Sequence, residues 1–353
     1  MKIAIIRHTV RNRGSDNAFF NYANYLIQHG HEVFYYTNFR ETNLAFNPAI
    51  RFQQVPYRGA LGTIFFVSTN KFSEDIVAID LVPLACLAWM RNRRKLVYLA
   101  RGYDVSYFKF PAMRLAMRAL YRLALHHLRI PVISVSDSLT KTLQQFLPYK
   151  ILTAPNGVDT GFFQKTPGQR RFVKNAGETV ILFHYRNEFV KGSDIGLKAL
   201  EKLSESQKEG WVLWVIGEEL PTQAGIKMVN YGFLDHEKLR DILSAADIFL
   251  LPSRSEGMSP LLLQALACAC AVVATEASSI LTHGEDALVA PIDDPLTMAA
   301  HLKQLIDDRS LRDKLHRNAP LLAKDYSLEK SCRRFEEALL SVHQAQKAKG
   351  SHQ

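Results

Sequence analysis

The chain has 353 residues, 47% of them hydrophobic, and a formal net charge of +10. This length predicts two domains, because a single hydrophobic core rarely grows to that size. The longest apolar stretch, residues 76–90, is interrupted by Asp80 and Pro83 and is shorter than the roughly 20 residues of a membrane-spanning helix, which argues against such a helix here.

The first half alternates short apolar runs with amphipathic segments. The N-terminal apolar run suits a first strand better than a secretory signal. Strands are predicted at 2–7, 32–36, 76–80 and 95–99, and helices at 17–29 and 84–91. This alternation is typical of βαβ units with a parallel sheet.

A basic amphipathic helix is predicted at 109–129, where Arg114, Arg118, Arg122 and His126 recur every four residues. Residues 1–160 hold 20 Lys and Arg against 9 Asp and Glu, a balance of +11, whereas residues 161–353 hold 24 against 25, a balance of −1. Two interpretations stay open. The three arginines contact an anionic membrane surface, or they are solvated on an ordinary surface helix. No helix-turn-helix, zinc or aromatic stacking motif accompanies the charge, so no nucleic-acid partner is expected.

The alternation starts again in the second half, with strands predicted at 179–184, 211–217 and 248–251 and helices at 194–203 and 236–245. The turn-rich residues 155–159 mark the hinge. We therefore expect an α/β protein with a Rossmann-like acceptor-side domain at 1–158 and a second Rossmann-like domain at 159–325. A C-terminal helix at 326–345 is expected to pack back toward the first domain. The four cysteines are scattered, which predicts a reducing cytoplasmic protein without a cysteine metal site.

A carboxylate in a turn follows the buried strand 247–252, and a helix start follows the turn. Ser259 supplies an N-cap hydroxyl, and Pro260 fits the first helical position. Free amides at this helix start would bind a pyrophosphate at the carboxyl edge of a parallel strand. Glu256 would then reach ligand hydroxyls, and Gln264 would face the same crevice. The sequence thus predicts a sugar-nucleotide site.

Four segments in order resemble those of retaining glycosyltransferases of family 4, the glycosyl transferases group 1. They are 155–163, 186–194, 231–234 followed by 245–253, and 256–264. The resemblance implies the GT-B architecture, in which two Rossmann-like domains face each other across a cleft. It also implies transfer of a sugar from a nucleotide sugar, with UDP favoured, to an acceptor hydroxyl with retained configuration. The basic first half favours a glycan or lipid-linked acceptor, and hence a role in cell-envelope polysaccharide or glycolipid synthesis.

The resemblance also assigns roles to residues. Arg186 and Lys191 would neutralise the diphosphate leaving group, and Glu256 would contact the transferred sugar. The predicted donor-binding positions are Gly14, Gly217, Tyr231, Gly232, Phe233, Gly257, Met258, Ser259, Pro260, Leu261 and Gln264. The acceptor-side candidates are Arg11, Arg13, Tyr103 and Asp104.

This sequence departs from the family pattern in several places. Gln264 stands where the family has a ribose-binding carboxylate, and Ala269 stands where it usually has glycine. No histidine occurs at 101–104, where relatives carry one near the reacting sugar. The sequence contains no Asp-x-Asp motif, so neither a metal nor another cofactor is expected. Two alternatives therefore remain, a nucleotide-sugar-binding protein with a degenerate site and a sugar-nucleotide epimerase of the same fold.

Overall fold

The computed structural model describes residues 1–10, 14–41, 47–108, 110–166 and 171–350. The chain divides into two compact units. One comprises Met1–Gly157 with Leu328–Gln353, and the other comprises Val158–Ser327. The division at 157/158 lies one residue before the expected boundary, and the return at 327/328 lies two residues after it.

The first domain contains a parallel sheet of seven strands in the order β3-β2-β1-β4-β5-β6-β7. Its strands are β1 (Lys2–Val10), β2 (Glu32–Arg40), β3 (Arg51–Gln54), β4 (Ile76–Ile79), β5 (Leu96–Ala100), β6 (Val132–Ser134) and β7 (Leu152–Thr153). The strand β1 pairs with both β2 and β4, so the chain reverses its direction across the sheet between these two neighbours. Every residue of β4 and β5 is buried, as their continuous apolar sequences predict.

The helices of the first domain are α1 (Gly14–Gln28), α2 (Gly59–Thr69), α3 (Val82–Asn92), α4 (Pro111–Tyr121) and α5 (Asp137–Gln144). The basic segment differs from the single helix predicted at 109–129. The α-helix ends at Tyr121, and Arg122–His127 form a π-helical segment, whose wider turn breaks the four-residue spacing of the basic stripe. The sequence analysis did not predict α2, whose side chains are apolar or small on all sides and show no helical periodicity.

The second domain contains a parallel sheet of six strands in the order β10-β9-β8-β11-β12-β13. Its strands are β8 (Thr179–Tyr185), β9 (Trp211–Gly217), β10 (Met228–Gly232), β11 (Ile248–Leu251), β12 (Ala271–Thr275) and β13 (Ala287–Ala290). Here the direction of winding reverses between β8 and β11, which are paired neighbours. The carboxyl ends of these two strands therefore form the switch point of the sheet, where open α/β folds bind ligands.

The helices of the second domain are α6 (Ser193–Ser206), α7 (His236–Ala245), α8 (Pro260–Ala267), α9 (Pro295–Asp307) and α10 (Arg309–Asp325). Capping side chains explain where several of them begin. Asp235 accepts a hydrogen bond from the backbone N–H of Lys238 at 2.8 Å, and Asp308 accepts one from that of Leu311 at 2.9 Å.

The C-terminal helix α11 (Leu328–Gly350) belongs to the first domain, where it packs against α1. Tyr22 of α1 and Phe335 of α11 stack with ring centres 4.2 Å apart. Both rings are buried in the same core as Ile5 and Tyr35 of the sheet. The helices α1 and α11 thus cover one face of the first sheet. The fold class is confirmed, because both domains are α/β units built on parallel sheets.

Candidate functional site

Two segments of the second domain meet at the switch point between β8 and β11. The Nζ atom of Lys191 lies 3.0 Å from Oε1 of Glu256. The Ser253 hydroxyl donates a hydrogen bond of 2.7 Å to the same carboxylate oxygen. The Glu256 side chain is only 9% exposed, whereas that of Lys191 is 32% exposed. The structure thus brings together a cation and a carboxylate that are 65 residues apart in the sequence.

Gly192 permits this close approach. Its φ is +62°, and a Cβ atom placed there would lie 1.9 Å from the carbonyl oxygen of Pro252. An alanine at this position would therefore collide with the backbone at the end of β11, in addition to adopting a left-handed conformation. The small residue directly after Lys191 allows its segment to lie against the turn that carries Glu256.

Arg254 fastens the same two segments together, and the sequence analysis missed it. Its guanidinium donates to both carboxylate oxygens of Asp194 at 2.7 Å and to Asp293 at 2.6 Å. It also donates to the carbonyl of Phe189 at 2.8 Å, and its backbone N–H donates to the carbonyl of Val190 at 2.9 Å. A bidentate arginine-carboxylate pair is strong and directional. The sequence does show a cation in the turn after a buried strand, but it does not show which carboxylates pair with it, because these are distant in the chain.

Arg186 follows β8 directly. Its Nη2 atom lies 2.6 Å from Oε1 of Glu188, and its Nε atom lies 3.2 Å from Oε1 of Glu218. The guanidinium carbon lies 5.8 Å from the centre of the Phe233 ring, which is 72% exposed. The backbone N–H of Arg186 donates to the Ser193 hydroxyl at 3.1 Å, and this hydroxyl donates to the carbonyl of Arg186 at 2.7 Å. The start of α6 thereby fixes the position of the arginine backbone.

His184, at the end of β8, is close to both predicted phosphate-binding cations. Burial, together with the nearby charges of Arg186 and Lys191, lowers its pKa to about 4. The imidazole is therefore neutral at pH 7. Gly217 adopts a φ of +97° beside it, and a Cβ atom there would lie 2.6 Å from the carbonyl of Tyr185. The predicted donor-binding role of Gly217 thus has a second explanation, since the chain needs glycine here for packing.

The helix α8 begins as the sequence predicts. The Ser259 hydroxyl accepts from the backbone N–H of Leu262 at 3.3 Å, and Pro260 occupies the first turn. Met258 and Ser259 are buried, and Gln264 is half-buried. The predicted donor positions Gly257 and Leu261 lie on either side of this cap and are also half-buried. The cap uses the amide of Leu262, Leu263 donates to the carbonyl of Ser259 at 3.3 Å, and Pro260 has no N–H, so the amide of Leu261 is the candidate of this turn for binding an anion.

The three predicted donor-binding residues at the end of β10 have different surroundings. Tyr231 packs edge-on against Phe172 and Trp214, with ring centres 5.0 Å and 5.5 Å away. Gly232 adopts a φ of +66° with open space around its Cα. Phe233 is exposed beside Arg186. Phe233 is thus the most exposed of the three, whereas Tyr231 and Gly232 are half-buried.

The acceptor-side predictions concern the first domain. Arg11 and Arg13 lie outside the described residues, and Gly14 is the first residue of α1. At the adjoining ends of β1 and β4, Arg7 pairs with Asp16 and lies 3.0 Å from Asp80. The guanidinium carbons of Arg7 and Arg101 each lie 4.7 Å from the centre of the Phe19 ring. The sequence analysis missed this charged cluster, since its members come from three strand ends and one helix.

Tyr103 and Asp104 lie beyond β5 near a pair of buried tyrosines. The hydroxyls of Tyr98 and Tyr121 are 3.1 Å apart, and the Tyr103 ring centre lies 5.4 Å from that of Tyr121. Burial raises the pKa of the Asp104 carboxyl, a hydrogen bond with Tyr121 opposes the rise and the charge of Asp80 adds to it, and the resulting pKa is about 6. Within the described part of the chain, Oδ2 of Asp104 is one of the buried oxygens without a hydrogen-bond partner.

Among the described residues, no three His, Cys, Asp or Glu side chains gather into a group able to hold a metal ion. In the same part of the chain, no helix is long and apolar enough to cross a membrane.

Solved structures identify the class of fold. Sucrose-phosphate synthase from Thermosynechococcus elongatus superposes with a TM-score of 0.79 at 16% identity and covers 98% of this chain and 99% of that one. Anabaena HepE in complex with UDP and glucose gives a TM-score of 0.74 at 17% identity over 97% and 100% of the two chains. The two-domain GT-B fold implied by the sequence is confirmed.

Sequence comparisons place the second domain more narrowly. Residues 178–308 match the family model described as glycosyl transferases group 1. Phosphatidyl-myo-inositol mannosyltransferase of Mycolicibacterium smegmatis is 29% identical over 198 residues, which are 53% of this chain and about half, 51%, of that relative. The second domain therefore matches the group 1 glycosyltransferase family that the resemblance implied.

A longer alignment extends the similarity to the first domain. A Campylobacter jejuni protein is 22% identical over 93% of this chain and 95% of its own length. It is named GalNAc-alpha-(1->4)-GalNAc-alpha-(1->3)-diNAcBac-PP-undecaprenol alpha-1,4-N-acetyl-D-galactosaminyltransferase. The chain is thus similar to glycosyltransferases over both domains.

Proposed function

We propose that this protein is a retaining glycosyltransferase of the cell envelope, which moves a sugar from a nucleotide sugar to a hydroxyl of a glycan or lipid-linked acceptor. The observation that carries the proposal is the meeting of Lys191, Glu256 and the start of α8 at the switch point of the second sheet. Arg186 stands at the end of the adjoining strand β8. Cations and helix amides at a sheet switch point suit a diphosphate.

The chemistry needs positive charge at the leaving group. The bond between the anomeric carbon and the β-phosphate oxygen breaks, and negative charge grows on that oxygen. Arg186, Lys191 and the amides at the start of α8 stabilise this charge where it develops. The anomeric carbon forms a new bond to the acceptor oxygen, and the acceptor proton passes to the leaving phosphate oxygen on the same face of the sugar. Configuration is then retained without a separate protein base.

Glu256 orients the sugar in this proposal. One of its carboxylate oxygens is held by Lys191 and Ser253. A carboxylate has several acceptor sites, so it can accept hydrogen bonds from sugar hydroxyls while remaining anchored. The anchoring fixes the carboxylate next to the phosphate-binding cations. Sugar and diphosphate would therefore be positioned by one connected set of side chains.

Relatives support the proposed donor and acceptor. Anabaena HepE was solved with UDP and glucose, which supports UDP as the nucleotide. The names of the two sequence relatives specify a phosphatidylinositol and an undecaprenol diphosphate acceptor, which supports a lipid-linked acceptor here. The proposal includes a cytoplasmic location, which the four free cysteines support. It also includes metal-independent transfer, since two cations and a helix start can neutralise the leaving group.

The first experiment is a thermal-shift series with UDP, GDP, ADP and their common sugar conjugates. A ligand at about 100 times its dissociation constant stabilises the folded state by roughly 2.7 kcal/mol. We expect a shift with uridine nucleotides and an unchanged shift after treatment with EDTA. Transfer from the stabilising nucleotide sugar to lipid-linked acceptors is then measured, with analysis of the anomeric configuration of the product.

Gln264 supports the two alternative functions, a nucleotide-sugar-binding protein with a degenerate site and a sugar-nucleotide epimerase. A carboxamide offers one acceptor group where a carboxylate offers two, which weakens its grip on two ribose hydroxyls. If no nucleotide stabilises a folded sample, a degenerate binding site replaces the proposal. If the nucleotide sugar is converted without any acceptor, the epimerase interpretation replaces it.

A further inference from the structure

Three helices cover the face of the first sheet opposite to α1 and α11. The chain winds from β3 through β4 and β5 to β6 in one direction, and α2, α3 and α4 lie on these crossovers. Right-handed crossovers place such helices on a common face. Helix α3 contacts both α2 and α4, so the three form one continuous layer. We call this surface, residues 57–69, 81–94 and 110–127, the basic helix layer.

The layer exposes large apolar side chains. Ten of the eighteen large hydrophobic residues that are exposed in the described chain lie between residues 57 and 123. On α2, Leu61 is 81% exposed and Phe65 is 51% exposed. Met90 at the end of α3 is 79% exposed, and Leu115 on α4 is 69% exposed. Isolated exposed apolar residues are ordinary, whereas a concentration in one helix layer marks an interaction surface.

The charge of the layer has one sign. Residues 57–129 hold twelve Lys and Arg against four Asp and Glu. None of the four acidic residues lies in α2, α3, α4 or the π-helical segment after α4. Exposed arginines accompany the apolar side chains in and beside each helix, at positions Arg58, Arg91, Arg93, Arg94, Arg118 and Arg122. Arg114 is half-buried, and its Nε donates to the carbonyl of Phe108 at 2.7 Å.

We propose that the basic helix layer docks on the surface of an anionic lipid bilayer. The exposed side chains of α2, with Leu61 and Phe65 foremost, enter the boundary between headgroups and acyl chains. Arg118 and Arg122 reach the lipid phosphates with their charged ends while their aliphatic stems cover apolar surface. Of the three arginines predicted to contact a membrane, Arg118 and Arg122 are exposed, whereas Arg114 is half-buried and donates a hydrogen bond to the backbone.

The charge pattern favours a bilayer over other occupants. A second copy of this chain would place two strongly basic layers against each other, and like charges across an interface disfavour association. An anionic bilayer instead offers negative charge over the whole area together with an apolar interior, which matches both properties of the layer. This inference does not depend on the transfer reaction. Docking on a bilayer would bring the protein to the place where a lipid-linked acceptor resides.

The test is sedimentation of the full chain with two kinds of vesicle. One is phosphatidylcholine alone, and the other contains about 30% phosphatidylglycerol, which gives its surface a negative potential. The variant L61S/F65S should lower partitioning to the anionic vesicles at least about tenfold, because two apolar side chains leave the lipid phase. The variant R118Q/R122Q should lower it by about 25-fold and reduce its salt dependence, because each charge contributes roughly fivefold.

The matched control is L296S/L321S, which replaces two leucines of the second domain that are 64% and 59% exposed. Its partitioning should equal that of the unchanged chain. Circular dichroism and the thermal unfolding transition show whether each variant is folded. The absence of a shift with UDP would concern the proposed function alone. The proposal is overturned if anionic vesicles do not bind the chain, or if the control loses as much binding as L61S/F65S. Concentration-dependent dimers abolished by L61S/F65S, without vesicle binding, would assign the layer to a second copy instead.

Discussion

The carboxyl edges of the two sheets differ in how their polar residues are assembled. At the edge of the second sheet, Lys191 and Glu256 meet in two short loops, each directly after a neighbouring strand. At the edge of the first sheet, Arg7, Asp16 and Asp80 form a cluster from separate strands and a helix. Short loops carry a recognisable sequence motif, whereas a cluster of isolated residues does not. The donor-side residues could therefore be predicted from the sequence, whereas the charged cluster of the first domain could not.

The first prediction concerns the cations at the edge of the second sheet. Replacing Arg186 or Lys191 by alanine should lower turnover about 100-fold or more, as for a lost oxyanion donor. The loss arises because charge on the leaving phosphate is no longer neutralised. Steady-state kinetics with the nucleotide sugar and acceptor measure the effect, and K198A, at an exposed lysine of α6, serves as the control. Near-normal rates in both variants would remove these residues from the mechanism.

The second prediction concerns the contact that allows the two loops to meet. G192A should destabilise the second domain by about 3 kcal/mol or more, because a Cβ atom would collide with Pro252 in addition to its left-handed strain. The matched control is G225A, where φ is +75° and a Cβ atom meets nothing within 4 Å. It should cost only about 1 kcal/mol. Urea unfolding of both variants measures the difference, and equal losses would show that the collision relaxes.

The third prediction tests the edge of the first sheet through the pH dependence of stability. The folded pKa of Asp104 is about 6, above its ordinary value of 3.8. Folding therefore favours the protonated form, and ionisation of Asp104 lowers stability as pH rises between about 4 and 6. D104N should raise the free energy of unfolding by about 1 to 3 kcal/mol at pH 7.5 and change it little at pH 4. Unfolding measured at both pH values checks this, and D137N, near the start of α5, is the control.

The smallest effect concerns a departure from the family pattern. Ala269 has a φ of +61° just after the end of α8, a conformation that glycine adopts without steric cost. A269G should stabilise the protein by roughly 1 kcal/mol. The resemblance places glycine here, and the backbone angle gives the physical reason. Thermal unfolding measures the gain, with A267G inside the helix as a control that should lose stability. A loss in both variants would mean that the Ala269 methyl group contributes more by packing than its strain costs.

Sequence patterns predicted most of the strands and helices that position the site. The buried runs of β4, β5, β8 and β11 and the Ser259 cap of α8 follow from local rules of burial and capping. The helix α2 escaped prediction because its exposed apolar residues leave no polar face to reveal its period. The end of α4 at Tyr121 escaped because a π-helical turn has no distinct sequence signal.

The fold class, the segments that approach the second sheet's edge and the excess of positive charge in the first half could all be predicted from the amino-acid sequence. Each depends on neighbouring residues or on composition, which the linear chain displays directly. The folded structure was needed to show that Lys191 touches Glu256, that Arg254 holds their loops together and that exposed arginines and apolar side chains share one helix layer. These are contacts and exposures between residues far apart in the chain, and they exist only once strand order has set which ends become neighbours.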